Sequence, residues 1–418
     1  MDAILVEGGV PLEGEVRISG AKNAALPMMA AALLVEGRVR ITNIPRLTDV
    51  ATLLELLHQM GVEGGYTDHS LELDAAHLTS TEAPYELVKK MRASIYVLGP
   101  LLARFGKARV SLPGGCAWGP RPVDLHIKGM EALGAKIELD HGYIVAEAER
   151  LRGAHIPLNV SSVGATGNIM MAATLAEGTT VIENAACEPE MTALAEFLNT
   201  LGARVSGAGT KTITIEGVSS LASGVTFANL PDRIETGTFL AAGAITAGNV
   251  RVTHCRPEHV SAVAAVLEEM GCRITREESV LQLQGAPGLK SVDVTTEVYP
   301  GFPTDLQAQI MALLTVADGT GVIKETIYTD RFTHVPELNR LGARIKVAGN
   351  VATVRGVREL QGAPVMSTDI RASSALILAG LVARGETRVS RVYHIDRGYE
   401  VIEKKLAGVG ARIRRIKE

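Results

Sequence analysis

Apolar and polar positions follow one pattern that recurs from the N-terminus to the C-terminus of this chain. A stretch rich in alanine and leucine, as in residues 375–383, leads to a glycine and then to a short run rich in β-branched residues. Examples of such runs are GRVRIT and GNVRVT, and later runs such as TITIEG and VLQLQG alternate strictly. Helical apolar stretches and alternating runs together predict the order helix, strand, loop, helix, strand, strand in each segment.

Internal repeats account for this pattern. A phrase of the type LGARI recurs with its glycine at Gly61, Gly134, Gly202, Gly271, Gly342 and Gly410, at intervals of 68 to 73 residues. Six units of about 70 residues therefore fill the 418-residue chain. A second glycine precedes each phrase, at Gly37, Gly106, Gly178, Gly248, Gly319 and Gly385. We predict that these preceding glycines end helices in the left-handed conformation, which only glycine adopts at little cost.

The two ends of the chain are predicted to share one repeat. The sixth unit stops at RIRRIKE without a last strand, and the N-terminal run DAILVEGG has the alternation of the missing piece. The chain then divides into domain I, residues 22–229, and domain II, residues 1–21 and 230–418, with three repeats in each. Because the chain crosses twice between similar halves, we expect a cleft with a hinge.

Composition and charge narrow the class of protein. With 46% hydrophobic and 21% charged residues the chain can bury a sizeable core, which argues against disorder, collagen and coiled coil. The net charge of −4 provides no global basic field, so neither nucleic acid nor membrane is an expected partner. The sequence has no apolar run of spanning length, no signal-peptide pattern and no CxxC pair among its 4 cysteines. We expect a reduced, cytoplasmic protein.

The second unit carries an insertion. It has 28 residues between its two glycines, against 23 to 25 in the other units, and the extra residues fall in the loop PGGCAWGPRPVD. Long irregular loops on a repeat scaffold tend to carry function. Cys116 lies in this loop with Arg121 close behind, and a thiol beside an arginine tends to be ionised and reactive. The alternative is a small buried apolar cysteine, which is our interpretation of Cys187, Cys255 and Cys272.

Charged residues recur where the first helix of a unit is predicted to start. They are Lys22, Arg92, Asp232, Arg233, Asp305 and Arg371, with Gly164 at the equivalent place in the third unit. Unpaired backbone N–H groups and the positive end of the helix dipole make such starts suitable for an anionic ligand. Arg331 and Arg397 add further groups able to bind phosphate or carboxylate. For any single arginine the alternative is a solvated surface position, and for Asp305 and Asp369 it is a plain N-cap.

Metal and nucleotide motifs are missing from the sequence. The 10 histidines form no HExxH or other metal-ligand spacing. There is also no Walker A motif, and no GxGxxG follows a strand. We therefore expect neither a metal nor a cofactor.

Seven motifs resemble one known family, in that family's order. They are SGAKNAALP at 19–27, PGGCAWGPRPVDLH at 113–126, SVGATGNIM at 162–170, YPGFPTDLQAQ at 299–309, DRFTHVPEL at 330–338, DIRASSALILAG at 369–380 and HIDRGYE at 394–400. Over essentially its whole length the chain resembles the UDP-N-acetylglucosamine enolpyruvyl transferases of the EPSP synthase-like superfamily. The resemblance implies an inside-out α/β barrel, built as two pseudo-threefold domains from six repeats.

The resemblance also implies a reaction. Phosphoenolpyruvate donates its enolpyruvyl group to the 3′-hydroxyl of UDP-N-acetylglucosamine and phosphate leaves, in the first committed step of peptidoglycan synthesis in the bacterial cytoplasm. The partners are then two small molecules, with no nucleic acid and no membrane. No metal or cofactor is implied, because fixed cations compensate the developing charge. Fosfomycin-type epoxide phosphonates are expected to react with the loop cysteine.

Matching motifs assign roles residue by residue. Cys116 matches the cysteine that protonates phosphoenolpyruvate and forms a pyruvate adduct, Asp305 matches the base, and Asp369 matches a further catalytic position. The positions around phosphoenolpyruvate are Lys22, Asn23, Arg121 and Arg397, of which Lys22 and Arg397 are also catalytic. The positions around the UDP-sugar are Arg92, Arg121, Pro122, Val123, Asp124, Leu125, Ser162, Val163, Gly164, Asp305, Ile327, Arg331 and Arg371.

Two departures from the family accompany the resemblance, and three alternative functions stay open. Trp118 and Pro120 replace residues that are often aliphatic and small or polar, and the lysine that some members carry just before SVGAT is absent. The alternatives are an EPSP synthase-like transferase with another acceptor, an RNA terminal phosphate cyclase and a non-catalytic sugar-nucleotide-binding protein. The first lacks this cysteine loop, and the acidic pI and a missing histidine motif disfavour the second. Phosphate release with both substrates separates an enzyme from the third.

Overall fold

The computed structural model of this protein describes residues 2–112 and 123–417. These residues form two compact units. The continuous unit is Gly20–Leu230, and the discontinuous unit combines Met1–Ser19 with Pro231–Glu418. Each unit has a hydrophobic core of its own.

Strands account for much of the described chain and are mostly five residues long. They are β1 (Asp2–Glu7), β2 (Glu13–Arg17), β3 (Arg38–Thr42), β4 (Glu63–Thr67), β5 (Ser70–Asp74), β6 (Glu82–Ala83), β7 (Lys107–Ser111), β8 (Lys136–Asp140), β9 (Tyr143–Glu147), β10 (His155–Pro157), β11 (Thr179–Glu183), β12 (Arg204–Ser206), β13 (Thr212–Glu216), β14 (Val225–Ala228), β15 (Asn249–Thr253), β16 (Arg273–Glu277), β17 (Val280–Gln284), β18 (Val294–Thr295), β19 (Thr320–Lys324), β20 (Arg344–Ala348), β21 (Val351–Arg355), β22 (Pro364–Met366), β23 (Glu386–Ser390) and β24 (Arg412–Lys417).

Helices alternate with these strands. They are α1 (Lys22–Ala31), α2 (Thr48–Gln59), α3 (Tyr85–Val88), α4 (Leu98–Phe105), α5 (Asp124–Ala132), α6 (Val163–Ala173), α7 (Pro189–Thr200), α8 (Arg233–Ile245), α9 (Ser261–Glu269), α10 (Gln307–Leu314), α11 (Val335–Arg340), α12 (Ile370–Gly380) and α13 (Ile402–Gly408). Short 3-10 helices cover Ala32–Leu34, Arg92–Val97, Pro257–Val260, Thr304–Leu306 and Val392–Arg397. Within the described ranges, no helix combines the length and the apolar character needed to cross a membrane.

Within residues 2–112 and 123–417 the strands are arranged in six sheets that share one topology. Each sheet has four strands, with a parallel pair at one edge followed by two antiparallel pairings, as in the order β6-β7-β9-β8. Alternation along a strand buries one face, so that in β13 the side chains of Ile213 and Ile215 are buried between more exposed residues. The six sheets correspond to the six predicted repeats.

Helices occupy the interior of each unit and sheets lie on the outside. In the discontinuous unit α8, α10 and α12 pack on one another and bury nearly every residue, as expected of helices that are apolar on all sides. In the continuous unit α1, α4 and α6 hold the equivalent places. The second helix of each repeat, such as α2, buries a single face. The predicted inside-out α/β barrel is confirmed.

Parallel edge strands show how the repeats close. β2 precedes α1 in the chain, but it pairs with β15 of the fourth repeat. The matching edge strand of the first repeat is β14, near the end of the continuous unit, which pairs with β3. β1 lies between β23 and β24 in the last sheet. The predicted element order omitted these edge strands. They contain two to five residues and are too short to show an alternating pattern of apolar and polar residues.

The glycines of the LGARI phrase end the second helix of every repeat. After α2, for example, the N–H of Gly61 donates to His58 O and the N–H of Val62 donates to Leu57 O, with Gly61 at a φ of 97°. These are the two bonds of a Schellman cap. The same pair of bonds recurs at Gly134, Gly202, Gly271, Gly342 and Gly410.

The preceding set of glycines follows the prediction in backbone conformation with one exception, but not in position. Of the six, Gly106 alone is a helix C-cap, whereas Gly178, Gly319 and Gly385 lie four residues after the caps of α6, α10 and α12. Gly37, Gly106, Gly178, Gly319 and Gly385 have a positive φ, but at Gly248 the left-handed prediction is wrong. Ala247 takes the positive φ, at 50°. A Cβ on Gly248 would lie 2.2 Å from Leu12 O, so close passage of the backbone before β2 requires glycine there.

Candidate active site

The residues that recur at repeat positions lie at helix starts, as predicted. α1 begins at Lys22 and a 3-10 helix begins at Arg92. Ser162, Asp232 and Asp369 are the N-cap residues of α6, α8 and α12, and each accepts a backbone N–H with its side chain. Backbone N–H groups at such positions lack partners within the helix.

Asp305 lies between two arginines of the discontinuous unit. Its Oδ1 is 2.7 Å from Arg331 Nη2, and its Oδ2 accepts a hydrogen bond from Arg371 Nη2 at 2.7 Å. The side chains are 26%, 15% and 7% exposed for Asp305, Arg331 and Arg371. The site is therefore a partly open carboxylate held by two nearly buried guanidinium groups.

The electrostatics of this triad favour its charged form. Burial would raise the pKa of Asp305, but the guanidinium groups of Arg371 and Arg331 outweigh burial and hold it well below its ordinary value. Burial would lower the pKa of Arg371, and Asp305 together with the ring of Tyr399 more than compensates, so that it is raised. Asp305 is consequently a weak base that stays ionised.

A network of buried polar side chains holds the guanidinium group of Arg371 in place. Arg371 Nη1 donates to the hydroxyl of Tyr399 at 3.4 Å, and that hydroxyl lies 2.8 Å from Thr238 Oγ1. Gln309 Nε2 donates to Tyr399 Oη and to the backbone carbonyl of Asp305. The network joins α8, α10 and α12 beneath the carboxylate. Sequence reasoning did not identify Tyr399, Thr238 or Gln309, although Tyr399 is part of the HIDRGYE motif.

The carboxylates of Asp369 and Asp305 have different hydrogen-bond and ion-pair partners. Asp369 Oδ1 accepts the N–H groups of Arg371 and Ala372 at 2.8 and 3.2 Å, and its Oδ2 accepts from Thr368 Oγ1. It is the N-cap that the plainer interpretation of the sequence describes. No such cap bond is made by the side chain of Asp305, which pairs with arginines instead.

Two further sequence-predicted residues lie in the discontinuous unit. Ile327 is 41% exposed, which is unusual for an isoleucine and leaves its side chain available for contact. Its backbone N–H donates to Glu325 Oε1. Arg397 ends the 3-10 helix Val392–Arg397 and is half-buried.

In the continuous unit, Lys22 is the charged residue at the start of α1. Lys22 is buried, and its Nζ lies 3.4 Å from Oδ2 of Asp49, which is buried as well. The neighbouring Asn23 is half-buried. Because burying an ammonium group is costly without a neighbouring anion, this pair offsets the cost of placing Lys22 at a buried helix N-terminus.

The start of α6 forms a second group in the continuous unit. Ser162 Oγ accepts the N–H of Ala165, and Ser162, Val163 and Gly164 are all half-buried. A Cβ on Gly164 would lie 3.0 Å from Nε2 of His126. Glycine therefore allows the histidine ring to lie against the first turn of the helix.

His126 was not singled out in the sequence, although it ends the PGGCAWGPRPVDLH motif. Asn168 Oδ1 accepts the N–H of Gly99, which orients the Asn168 amide so that its Nδ2 donates to His126 Nδ1 at 3.0 Å. His126 Nδ1 is thus an acceptor, and the neutral ring carries its proton on Nε2. Sequence adjacency to Asp124 and Leu125 was the only available signal.

The remaining predicted residues surround α5 or lie outside the described residues. Asp124 begins α5 and pairs with Lys128 one turn later, while Val123 and Leu125 are half-buried apolar residues against the core. Cys116, Arg121 and Pro122 lie outside the residues that the structure describes.

Two buried histidines predict a decline in stability at mildly acidic pH. Burial lowers the pKa of both His126 and His334 to about 4, so both are neutral in the folded protein. Their unfolded forms bind protons below about pH 6.5. Stability is therefore expected to fall as the pH drops from about 6.5 to about 4, by up to about 3 kcal/mol for each histidine.

Denaturant unfolding at a series of pH values measures this effect. His126→Gln should flatten the dependence of the unfolding free energy on pH over that range. His77→Gln, at an exposed position of the same unit, is the matched control and should follow the wild-type curve. Parallel curves for His126→Gln and the wild type would contradict the prediction.

In residues 2–112 and 123–417, no group of three or more His, Cys, Asp or Glu residues is arranged to hold a metal ion. The chemistry of the described groups is that of a carboxylate and several cations.

Sequence comparison finds relatives over the full length of the chain. Residues 6–406 match the family described as EPSP synthase (3-phosphoshikimate 1-carboxyvinyltransferase). Proteins named UDP-N-acetylglucosamine 1-carboxyvinyltransferase from Dichelobacter nodosus and Halorhodospira halophila are 54% and 56% identical, with 100% of both chains covered. The protein of that name from Coxiella burnetii is 57% identical and is covered over 96% of its length.

Solved structures share the fold. The enolpyruvyl transferase NikO from Streptomyces tendae superposes with a TM-score of 0.89 at 29% identity, covering 100% of this chain and 99% of that one. EPSP synthase from Acinetobacter baumannii superposes with a TM-score of 0.77 at 17% identity and full coverage of both chains. The second similarity supports the fold alone.

Proposed function

We propose a function from the premise that this chain belongs to the EPSP synthase family, as one of its UDP-N-acetylglucosamine 1-carboxyvinyltransferases. The protein transfers the enolpyruvyl group of phosphoenolpyruvate to UDP-N-acetylglucosamine and releases inorganic phosphate. The observation that carries this conclusion is the 54 to 57% identity, over the whole chain, with proteins of that name. We further propose that the acceptor is the 3′-hydroxyl of the sugar and that the reaction takes place in the cytoplasm.

In the addition stage one proton is added and another is removed. In the elimination stage one proton is removed from the new methyl group, and the departing phosphate takes up one. Protonation of the methylene carbon of phosphoenolpyruvate makes the adjacent carbon electrophilic, and the sugar oxygen bonds to that carbon as its hydroxyl loses a proton. Loss of a methyl proton and of phosphate then restores the double bond and gives the enol ether. We assign to Cys116 the protonation of the methylene carbon and the formation of a covalent adduct at the adjacent electrophilic carbon.

Asp305 is the proposed base for the sugar hydroxyl. Its low pKa makes it too weak to ionise a free alcohol. The hydroxyl proton becomes strongly acidic once the C–O bond begins to form, and a weak carboxylate suffices to take it then. Proton removal is therefore concerted with, or follows, attack on the protonated phosphoenolpyruvate.

Cations are the proposed means of holding phosphoenolpyruvate and stabilising the departing phosphate. Lys22, Arg121 and Arg397 match the family's positions for this ligand, with Asn23 beside them. Lys22 places an ammonium group at the N-terminus of α1, an arrangement that favours oxyanions. Arginine adds bidentate binding of phosphate or carboxylate.

The residues proposed to contact the UDP-sugar are those at the family's matching positions. In the continuous unit these are Arg92, Arg121, Pro122, Val123, Asp124, Leu125, Ser162, Val163 and Gly164, and in the discontinuous unit they are Asp305, Ile327, Arg331 and Arg371. The half-buried start of α6 supports this assignment, since its first-turn N–H groups suit a phosphate or carbonyl oxygen. Asp369 is assigned a further catalytic position that also caps α12.

Acceptor choice tests the proposed function. Purified protein should release phosphate from phosphoenolpyruvate when UDP-N-acetylglucosamine is supplied, and much more slowly when shikimate 3-phosphate is supplied instead. Faster phosphate release with shikimate 3-phosphate would favour an EPSP synthase-like activity. Tight binding of UDP-N-acetylglucosamine without any phosphate release would favour a non-catalytic binding protein.

An epoxide phosphonate of the fosfomycin type is expected to inactivate the protein through Cys116. The thiolate opens the epoxide and forms a thioether, so the protein mass should rise by one whole reagent molecule. Burial raises the pKa of Cys255 to about 11 and also raises that of Cys272 and Cys187, which leaves these thiols poorly nucleophilic. Mass spectrometry should place the adduct on Cys116, and Cys116→Ser should take up none.

An adduct on another cysteine, or continued labelling of the Cys116→Ser protein, would contradict this prediction. Unlabelled wild-type protein that still releases phosphate in the presence of the reagent would contradict it as well.

A further inference from the structure

Glu325 is a buried carboxylate to which the sequence motifs assign no role. It follows β19, and its side chain is fully buried. Its Oε1 accepts from Thr296 Oγ1 at 2.7 Å and from the N–H groups of Ile327 and Tyr328 at 2.9 and 2.8 Å. Its Oε2 accepts from Thr304 Oγ1 at 2.8 Å. Four donors on one buried carboxylate indicate a group that fixes the geometry around it.

Thr304 connects this carboxylate to the proposed active site. A threonine hydroxyl has one proton to donate, and here Glu325 receives it. The lone pairs of the Thr304 oxygen then face Arg331, whose Nη1 donates to it at 3.0 Å. Glu325 therefore sets the direction of the hydroxyl, and the hydroxyl sets the position of one arginine nitrogen.

Arg331 transmits this orientation to Asp305. Its Nη1 is held by Thr304 and its Nη2 lies 2.7 Å from Asp305 Oδ1. Because a guanidinium group is planar and rigid, fixing one nitrogen fixes the other. Glu325 Oε1 also accepts the N–H of Ile327, and this bond anchors the segment that leads to Arg331.

We infer that Glu325 is a positioning residue for enolpyruvyl transfer: through the Thr304 hydroxyl it holds Arg331 against the carboxylate of Asp305. The inference rests on the proposed function. Glu325 acts on the reaction through its neighbours, by fixing the arginine that governs the basicity of Asp305 and that is proposed to contact the UDP-sugar.

We expect Glu325→Gln to leave the other charged groups around Asp305 in place. Arg371 on α12 pairs with the second carboxylate oxygen, and Tyr399 and Asp232 act in turn on Arg371. His334 at the start of α11 and Asp369 at the start of α12 are the ionisable neighbours on the side of Arg331. Loosening Arg331 alone should therefore raise the pKa of Asp305 only part of the way to its ordinary value.

Glu325→Gln tests the inference with little change in volume. The amide can keep one oxygen for the loop N–H groups, but its nitrogen donates to Thr304 and no longer receives the hydroxyl proton. We expect the KM for UDP-N-acetylglucosamine to rise about ten-fold and kcat to fall about three-fold, while the KM for phosphoenolpyruvate stays within about two-fold of the wild type. Thr304→Val should reproduce both changes.

A double variant and two controls separate positioning from general structural damage. If both residues act through one hydroxyl, Glu325→Gln combined with Thr304→Val should add less than about two-fold to either single effect. Thr304→Ser keeps the hydroxyl and should keep the wild-type KM. Thr353→Val is the same substitution at an exposed position of β21 in the same sheet, and it should change neither parameter.

Every outcome of these measurements either supports or overturns the inference about Glu325. A KM for UDP-N-acetylglucosamine that does not rise in Glu325→Gln or Thr304→Val, in an active enzyme, overturns the inference and leaves the proposed function intact. Effects that add fully in the double variant overturn it too, because the two residues then act separately. If Glu325→Gln does not fold, the comparison of Thr304→Val with Thr304→Ser shows whether the Thr304 hydroxyl positions Arg331. A wild-type protein without turnover overturns the proposed function and the inference with it.

Discussion

Asp305→Asn is expected to lower kcat by about a thousand-fold, within the range attributed to a positioned general base. The variant keeps the size of the side chain but removes the charge that Arg331 and Arg371 surround at 2.7 Å. An amide cannot take the hydroxyl proton as the C–O bond forms. Steady-state phosphate release with both substrates measures kcat directly, and the KM for phosphoenolpyruvate should change by less than about three-fold.

Asp330→Asn is the matched control for that experiment. Asp330 is exposed and precedes Arg331 in the chain, so the same loss of charge near the site should leave kcat within about two-fold. Thermal unfolding of both variants shows whether the folded fraction is maintained. If Asp305→Asn keeps more than about a tenth of the wild-type kcat, Asp305 is not the base, and the role passes to another group.

Arg371→Met is expected to reduce both stability and activity. Breaking a buried ion pair costs about 3 to 5 kcal/mol, and the cost here should be about 2 to 3 kcal/mol because Arg331 still pairs with Asp305. The change also removes a donor to the buried hydroxyl of Tyr399. With one cation gone, the pKa of Asp305 should rise towards its ordinary value. We expect kcat/KM to fall about a hundred-fold.

Arg412→Met provides the comparison, since Arg412 pairs with Glu7 and their side chains are 61% and 59% exposed. Exposed pairs of this kind contribute little, and the control should stay within about 0.5 kcal/mol of the wild type. Urea unfolding measures both. Equal losses of unfolding free energy in the two variants would contradict the prediction that the buried ion pair of Arg371 contributes more than an exposed pair.

Much of the architecture was predictable because it is encoded locally and repeated six times. Glycines after helical runs and alternation in strands such as β13 are short-range signals, and recurrence at about 70 residues separates them from chance. The parallel edge strands were missed because strands such as β6 are too short to show a period. Gly248 is a related case: contact with the backbone at Leu12, far away in the chain, decides its conformation.

The candidate site was predictable only where chemistry and repeat position coincide. Asp305, Arg331 and Arg371 are charged, lie in motifs and are joined in the structure. The groups that orient them, Glu325 and Tyr399, act through hydrogen bonds between elements distant in sequence. No local pattern indicates such bonds, because they depend on how three repeats pack around one centre.

The two aspartates at helix starts illustrate the same limit. Asp305 and Asp369 occupy equivalent places and share the expectation of either a cap or a base. Only the structure separates them, since Asp369 accepts two helix N–H groups and Asp305 pairs with two arginines. For that reason we assign proton removal to Asp305.

Product identification tests the central claim most directly. The purified protein is incubated with phosphoenolpyruvate and UDP-N-acetylglucosamine, phosphate is quantified, and the nucleotide product is examined by NMR spectroscopy and mass spectrometry. We predict one phosphate for each product molecule, with the enolpyruvyl group in an ether linkage at the 3′-oxygen of the sugar. An unchanged UDP-sugar, or an enolpyruvyl group attached at another oxygen, would contradict the account.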